Sequence, residues 1–515
     1  MKTFPSIFRN IALIGCLLHS VVYAQMPAIT VAWDKPVMVS KSVPTLQVVV
    51  NPLLRKGSPI HDASFKALRD MNADYVRYVP WLPYPKLAVA AMLPPGEKKT
   101  SWDFSLIDPM TIDFMEATKG HPVMLNFSTI PSWLFKSDQA IKYPEDPDKV
   151  FWNYTQSSKL RDTTYEELAG YFGRLVSWYT KGGFTDELGK YHSSGHSYKI
   201  PYWEVFNEPD LEHKPTPEEY TKQYDAVVTA IQKVSPQTKF VGISLAHSNQ
   251  PAFFEYFLNS RNHRPGIPLD MISYHYYSVA AERQEIESYQ YTYFDKAEGF
   301  VNNVRFIENI RKRLSPATKT TINEIGSIIF SEKKPLPAEY WNLSAGLFAY
   351  LYAELTKLGI DIIGESQLVA YPTQIPSVSM MNWTSGKPNA RYWVLKLIKE
   401  NFMVGDSLVQ TNTRGDGNGD IYAQGFKGKH GNKVLIINKR NQSIKIKLPL
   451  DKEGTSLFTV NPDKPFGISD LKGSSYMFVV DPSTGDDPPV LSVINSAEIE
   501  LKPFAVAVLS LPGTK

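Results

Sequence analysis

Two glutamates each close an apolar run, and a carboxylate at such a place is costly to desolvate unless it has work to do. The first lies in Tyr202-Trp203-Glu204-Val205-Phe206-Asn207-Glu208-Pro209-Asp210, the second in Thr320-Thr321-Ile322-Asn323-Glu324-Ile325-Gly326-Ser327. A pair of carboxyls can cleave a glycosidic bond: one protonates the poor leaving group while the other faces the oxocarbenium-like centre. That division requires environments that separate the two pKa values. Glu208 suits the acid/base role, with Pro209 stiffening the turn that aims it, and Glu324 suits the nucleophile. Asn207 could hold a sugar 2-hydroxyl, a contact that strengthens in the transition state. Arg77 could keep a neighbouring carboxylate ionised. His275 and Tyr277 alternate onto one face of a single run, within reach of nucleophile or substrate. Asn126 is a further candidate sugar contact, and Trp383 could stack under a ring.

Plainer readings stand beside these. Asn-Glu-Pro alone can mark a helix N-terminal charge, an interior arginine can be structural, and a histidine on an apolar run can be core. Glu365, also at a strand end, is a rival for the nucleophile. Trp81, Trp133, Trp152 and Tyr371 read as core or loop packing rather than as sugar contacts.

The elements that must position these groups alternate strand-like runs with amphipathic helices. Strands are expected at Leu46–Val50, Asp74–Val79, His121–Phe127, the Asn-Glu-Pro run, Lys239–Ser244, Asp270–Tyr277, the Glu324 run and Asp361–Glu365, whose loop runs on to Trp383. Helices are expected between them, among them Thr163–Thr180 with apolar residues at helical spacing and Pro217–Val234 with Thr216 as N-cap. Val301–Leu314, Ala338–Leu358 before the C-cap Gly359, and Ala390–Glu400 follow. Eight such units predict an α/β chain built on a (β/α)8 TIM barrel, whose catalytic groups sit at the C-terminal ends of the strands. After about residue 403 the pattern turns to short alternating runs punctuated by Gly, Asn and Asp, the signature of an appended antiparallel β-sandwich. The expected organisation is a signal peptide over 1–24, strands over 25–46 that join the sandwich, the barrel over 47–402 and the sandwich over 403–515.

A hydrophobic content of 43% and a charged content of 21% are ordinary for a globular chain of 515 residues. A net charge of +3 over this length, with no basic tract, gives no case for nucleic acid. The N-terminus has Lys2 and Arg9, a short apolar core over Ile11–Val22, and Val22-Tyr23-Ala24 before Gln25. It reads as a cleavable signal, so the protein is expected to be secreted or periplasmic. Leu13-Ile14-Gly15-Cys16 gives a competing lipobox reading with a lipid anchor at Cys16, on an apolar stretch shorter than such signals use. Cys16 is the only cysteine, so the mature chain is expected to lack disulfides, thiolate catalysis and Cys-ligated zinc. The sequence shows no P-loop, His-Glu-x-x-His, Gly-x-Ser-x-Gly or dinucleotide fingerprint, so no cofactor or metal is expected. Asp416-Gly417-Asn418-Gly419-Asp420 resembles a calcium loop but has no glutamate at its twelfth position, so it reads as a hairpin turn. Sequons occur at Asn126, Asn153, Asn342, Asn382 and Asn441.

The segments Trp203–Asp210, Ile272–Tyr277, Pro388–Trp393 and the terminal Leu501–Leu509 resemble the clan A retaining glycoside hydrolases, most of all glycoside hydrolase family 39, the β-xylosidase and α-L-iduronidase group. The resemblance implies an acid/base glutamate after strand four and a nucleophile after strand seven. It also implies two-step hydrolysis of a carbohydrate substrate without a metal, usually removing a terminal sugar. One departure is the run Asn323-Glu324-Ile325-Gly326, where that family has a Thr-Glu-Trp-like run. Endo-acting enzymes and inactive carbohydrate-binding proteins share the scaffold and stand as alternatives.

Overall fold

A computed structural model describes residues 26–137, 141–152, 159–280, 285–329, 336–371, 375–450 and 474–512. The signal segment, Cys16 and the Asn153 sequon lie outside the described residues.

Eight parallel strands close a barrel in chain order: Val43–Val49, Val76–Val79, Val123–Leu125, Tyr202–Glu204, Lys239–Leu245, Met271–Val279, Lys319–Ile328 and Ile362–Glu365. The expected barrel with an appended β module is the fold observed. The first strand begins at Val43, inside the stretch assigned from sequence to the sandwich. Val43 to Leu46 pair with Ile362 to Glu365 and close the ring.

The outer helices follow their local signals. Helix Pro217–Val234 opens with a complete capping box, in which the Thr216 hydroxyl accepts from the Glu219 N–H and the Glu219 carboxylate accepts from the Thr216 N–H. Helix Ala338–Leu358 stops at Gly359, whose φ of 75° only glycine adopts freely. Helix Ile286–Leu314 begins well before Val301. Its first half carries Tyr289, Tyr293, Phe294 and Ala297 on the buried face, an aromatic-rich tract that masks the helical period. A small hairpin over Gly183–Thr185 and Tyr191–Ser193 has no counterpart in the sequence reading.

Among the described residues the second module is one continuous sheet of nine strands, with its own core of Ile29, Ile421, Val434, Ile436, Ile446 and Leu509 among others. Strand Ala28–Val39 belongs to it, antiparallel to Ser407–Arg414. The other face of the sheet continues the barrel core through Leu435, Ile437, Val506 and Val508, against helices Ala338–Leu358 and Ala390–Asn401. The Asp416 segment is a turn: its carboxylate accepts from the N–H groups of Asp420 and Ile421, while Asp420 pairs with Arg440 at 2.5 Å. Two sequons are buried, Asn126 at 0% and Asn342 at 4% exposure, and a glycan cannot attach there in the folded chain. Among the described residues no helix is long and apolar enough to cross a membrane.

Candidate active site

The fourth strand is three residues long, and its alternation decides what the barrel holds. Trp203 faces the helix layer, stacked on Phe127. Glu204 faces the interior, fully buried. There its carboxylate accepts from Ser273 at 2.5 Å, Asn126 at 2.5 Å, Asn323 at 2.8 Å and the Arg77 Nε–H. Arg77 is fully buried too and spends its guanidinium on five neighbours. Besides Glu204 it donates to Glu324, to Gln47 at 2.7 Å, to Asn207 at 2.7 Å and to Ser244 at 3.3 Å. A cation is thereby set under the site by a carboxylate beneath it and offered to a second carboxylate above.

Beyond Glu204 the chain leaves the sheet. Phe206 at φ 66° and Glu208 at φ 41° take left-handed conformations, as do Ile243 at 76° and Ser244 at 49° on the next strand. A β-branched residue at positive φ is uncommon, and such outliers gather where a structure holds functional groups in fixed places. The Glu208 N–H donates to the Ser244 carbonyl at 2.9 Å, which ties the two distorted segments together. Glu208 then precedes the short helix Pro209–Glu212.

Glu324 reaches the same place by a bulge. The seventh strand slips register against both neighbours between Thr321 and Ile325. The slip lets consecutive residues face inward, Asn323 toward Glu204 and Glu324 toward Arg77. Two glycines make room. A Cβ on Gly364 would meet the Asn323 backbone at 3.0 Å, and one on Gly326 would meet the Tyr277 ring at 3.1 Å. Glycine at 326 therefore has a local reason, because Tyr277 lies across it.

Glu208, His275 and Glu324 offer one carboxylate oxygen, one ring nitrogen and one carboxylate oxygen within 4.8 Å of one another. His275 Nδ1 is 2.8 Å from Glu208 and 3.5 Å from Glu324. Burial works against a charged imidazole, but the carboxylates of Glu324 and Glu208 outweigh it and raise its pKa. Glu208 is raised by burial, with the Glu324 and Asp210 charges adding to it against the bond from His275. For Glu324 burial also pushes upward, but His275, Arg77 and the Tyr277 hydroxyl at 2.6 Å overcome it and hold the carboxyl below the ordinary range. The two glutamates are thus driven apart, one toward the acid and one toward the anion, as acid/base and nucleophile require. The same three residues offer ligand atoms that could share a divalent cation.

Above this trio lies a pocket lined by Trp81, Asn207, Glu208, Tyr277, Glu324 and Gln367, with Ile375 and Val378. Asn207, Glu208, Glu324 and Tyr277 therefore face the cavity, whereas Arg77 and His275 lie under it. Asn126 lies under it as well, its amide donating to Glu204 and to the Phe206 carbonyl at 2.8 Å, so it supports the turn rather than touching sugar. Trp383 is not brought to the pocket. Its loop folds back through the Met381–Pro388 bridge and the turn capped by Asn382, and the indole packs half-buried on the core. Trp81, read from sequence as packing, lines the cavity instead. Glu365 turns away to Arg391 at 2.9 Å, and burial pushes it up to about 8 in spite of that arginine.

The sequence reading missed Glu204, Gln47, Ser366 and Glu212. Ser366 accepts from Gln47 at 2.7 Å and lies 2.6 Å from the Tyr277 hydroxyl. Strand alternation alone points Glu204 inward; Glu212 reads in sequence as a solvated helix charge and gives no such signal.

Residues 189–344, which carry both Glu208 and Glu324, match the profile of the glycosyl hydrolases family 39. No curated protein matches the sequence. Among solved structures, an α-L-arabinofuranosidase from Thermotoga maritima superposes with a TM-score of 0.58 at 13% identity, over 94% of this chain and 99% of that one. A GH30 endoxylanase from Clostridium papyrosolvens gives 0.54 at 13%, over 94% and 100%. A conserved exported protein from Bacteroides fragilis gives 0.60 at 10%, over 94% and 99%. The structures share the fold, and the matched segment is that of a glycosidase.

Proposed function

We propose that this chain is a retaining glycosidase that removes a terminal sugar, with Glu324 as nucleophile and Glu208 as acid/base. The observation that carries this is the approach of the two carboxylates, with oxygens within 4.8 Å of each other, in environments that push their pKa values in opposite directions. Inverting enzymes hold their carboxyls roughly 6.5–9.5 Å apart to admit a water between them, and retaining enzymes about 5–5.5 Å. The ionised Glu324 carboxylate attacks the anomeric carbon as the aglycone oxygen takes the Glu208 proton. This forms a covalent glycosyl ester and frees the alcohol. Glu208, now a carboxylate, draws a proton from water, whose oxygen attacks the same carbon and releases Glu324. Arg77 and Tyr277 hold the nucleophile ionised between turnovers and orient its attacking oxygen.

Among the described residues Trp81 is the one tryptophan that lines the pocket, which supports action on a chain end rather than along an aromatic-lined groove. The N-terminal signal supports export with cleavage after Ala24; lipidation at Cys16 would instead leave the mature chain beginning at that residue. Intact-mass measurement of the exported protein separates these two.

A panel of 4-nitrophenyl glycosides (β-xyloside, β-glucoside, β-galactoside, β-glucuronide, α-L-arabinofuranoside, α-L-iduronide) tests the function. One or more is expected to be turned over, with proton NMR showing the product first in the anomeric configuration of the substrate. Turnover with inversion would refute the retaining assignment. Sugar binding without any turnover would make the chain a binding protein on a glycosidase scaffold.

A further inference from the structure

We propose that Glu212 is a positioning residue of this pocket, which through Asn207 and Trp81 fixes an amide donor and an aromatic wall against the sugar ring. The inference rests on the glycosidase reading and adds to it a residue outside the catalytic pair.

Glu212 closes the short helix that Glu208 opens, and it is 4% exposed. One of its oxygens, Oε1, accepts from the Trp81 Nε1–H at 2.5 Å and from the Asn207 Nδ2–H at 3.0 Å. The Asn207 amide has only one possible orientation. Arg77 can only donate, so the Asn207 oxygen must face its Nη2 at 2.7 Å, and the amide nitrogen must face Glu212. That nitrogen carries two hydrogens. Glu212 takes one, and the other is left for the cavity that Asn207 lines, where a ring hydroxyl would sit. Trp81 lines the same cavity. With its N–H bonded to Glu212, the indole cannot rotate about χ2 without losing a buried hydrogen bond. A single acceptor oxygen thus sets the directions of two groups that would touch substrate.

Burial raises the Glu212 carboxyl well above the ordinary range, and the Glu208 and Glu324 charges add to this against the bonds from Asn207 and Trp81. The neutral acid suffices for the role, since one carbonyl-type oxygen accepts both bonds. Glutamine offers the same oxygen, whereas alanine offers none.

The test uses an aryl glycoside that the wild type turns over, together with its 2-deoxy analogue. E212Q is expected to keep kcat/KM within about threefold of wild type on both. E212A is expected to lose about tenfold or more on the parent glycoside and clearly less on the 2-deoxy analogue, because the misplaced amide has no 2-hydroxyl to miss. Independently of turnover, the indole N–H resonance that disappears in W81F is expected in the wild type and E212Q, and displaced in E212A. Equal losses on both glycosides, or an E212Q as impaired as E212A, would overturn the proposal. If E212A does not fold, E212Q decides alone: loss of activity or of the Trp81 resonance refutes it. A wild type without glycosidase activity refutes the functional reading, and the resonance still reports on the contact.

Discussion

Removing one hydroxyl from the site separates electrostatics from packing. Tyr277→Phe keeps the ring that crosses Gly326 and deletes only the O–H that donates to Glu324 at 2.6 Å. The other partner of that hydroxyl, Ser366, keeps its bond from Gln47 at 2.7 Å but loses the Tyr277 oxygen to which its own O–H donates at 2.6 Å, a cost that does not vary with pH. A hydrogen bond to a charged group contributes about 1.5–3 kcal/mol. Glu324 is only 9% exposed by side chain, so solvent screening takes little from that figure. The whole of it falls on the ionised form. Glu324 is held below its ordinary range by His275, Arg77 and Tyr277 against burial. Loss of one of the three moves the carboxyl upward, and the acidic limb of kcat/KM, which reports the free enzyme, moves to higher pH. On that limb the variant is expected to fall roughly tenfold to a hundredfold below wild type, with a smaller deficit on the plateau where Arg77 and His275 still ionise the carboxyl. The linkage has the same sign. A carboxyl depressed on folding gives stability that is present above its unfolded pKa and lost as pH falls through the folded one, so the variant loses part of that term at neutral pH. The assay is a pH series on an aryl glycoside with thermal melts at each pH. An acidic limb that stays in place, with melting temperature lowered equally at every pH, would mean that Tyr277 acts through packing and would refute the reasoning.

Other perturbations distinguish the remaining roles. Glu324→Ala should abolish turnover and regain it with azide, yielding a glycosyl azide of inverted configuration, while Glu208→Ala should spare substrates with good leaving groups and lose natural glycosides. Kinetics on a nitrophenyl series check the order of loss. Trp81→Ala should raise KM, and Trp383→Ala should leave it unchanged, since only the first indole lines the cavity. Glu365→Gln should leave kcat/KM within a few fold and flatten the pH dependence of melting. With the folded carboxyl near 8 and an ordinary value of 4.5, the native state holds more protons in that window, so wild-type stability falls as pH rises through it. Dialysis against a chelator should leave the rate unchanged, because the two-carboxylate mechanism needs no metal; a loss restored by a divalent cation would instead place one at Glu208, His275 and Glu324.

What the sequence revealed of the fold follows from how locally each signal is encoded. Helix Pro217–Val234 has its cap, its N1 proline and its apolar period within its own residues, and its observed bounds are those read from sequence. Helix Ile286–Leu314 was half legible, because its first turns are held by the packing of tyrosines on neighbouring elements rather than by a clean period. The site divides in the same way. Glu208 and Glu324 announce themselves as carboxylates at the ends of apolar runs. Glu212 depends on a loop from another unit bringing Trp81 to it, and the bulge that turns Asn323 and Glu324 to the same side depends on both neighbouring strands. Trp383 shows the converse: the right residue type in the right unit, carried away by a turn that its neighbour Asn382 caps.

The pairing of Ala28–Val39 with Ser407–Arg414 has a consequence for biosynthesis. The strand Ala28–Val39 takes as its partner a segment made more than 350 residues later. At about 5–20 residues per second, it stays without that partner for tens of seconds. An unpaired strand is a template for aggregation over such a time. This one carries its own protection at midlength: Asp34, Lys35 and Pro36 are exposed where the register with the partner strand slips. A charge pair and a residue without an N–H donor break the hydrogen-bonding row into two short pieces. The irregularity that looks like imperfect pairing in the finished protein is, for an unpartnered strand, a feature that disfavours pairing with another copy.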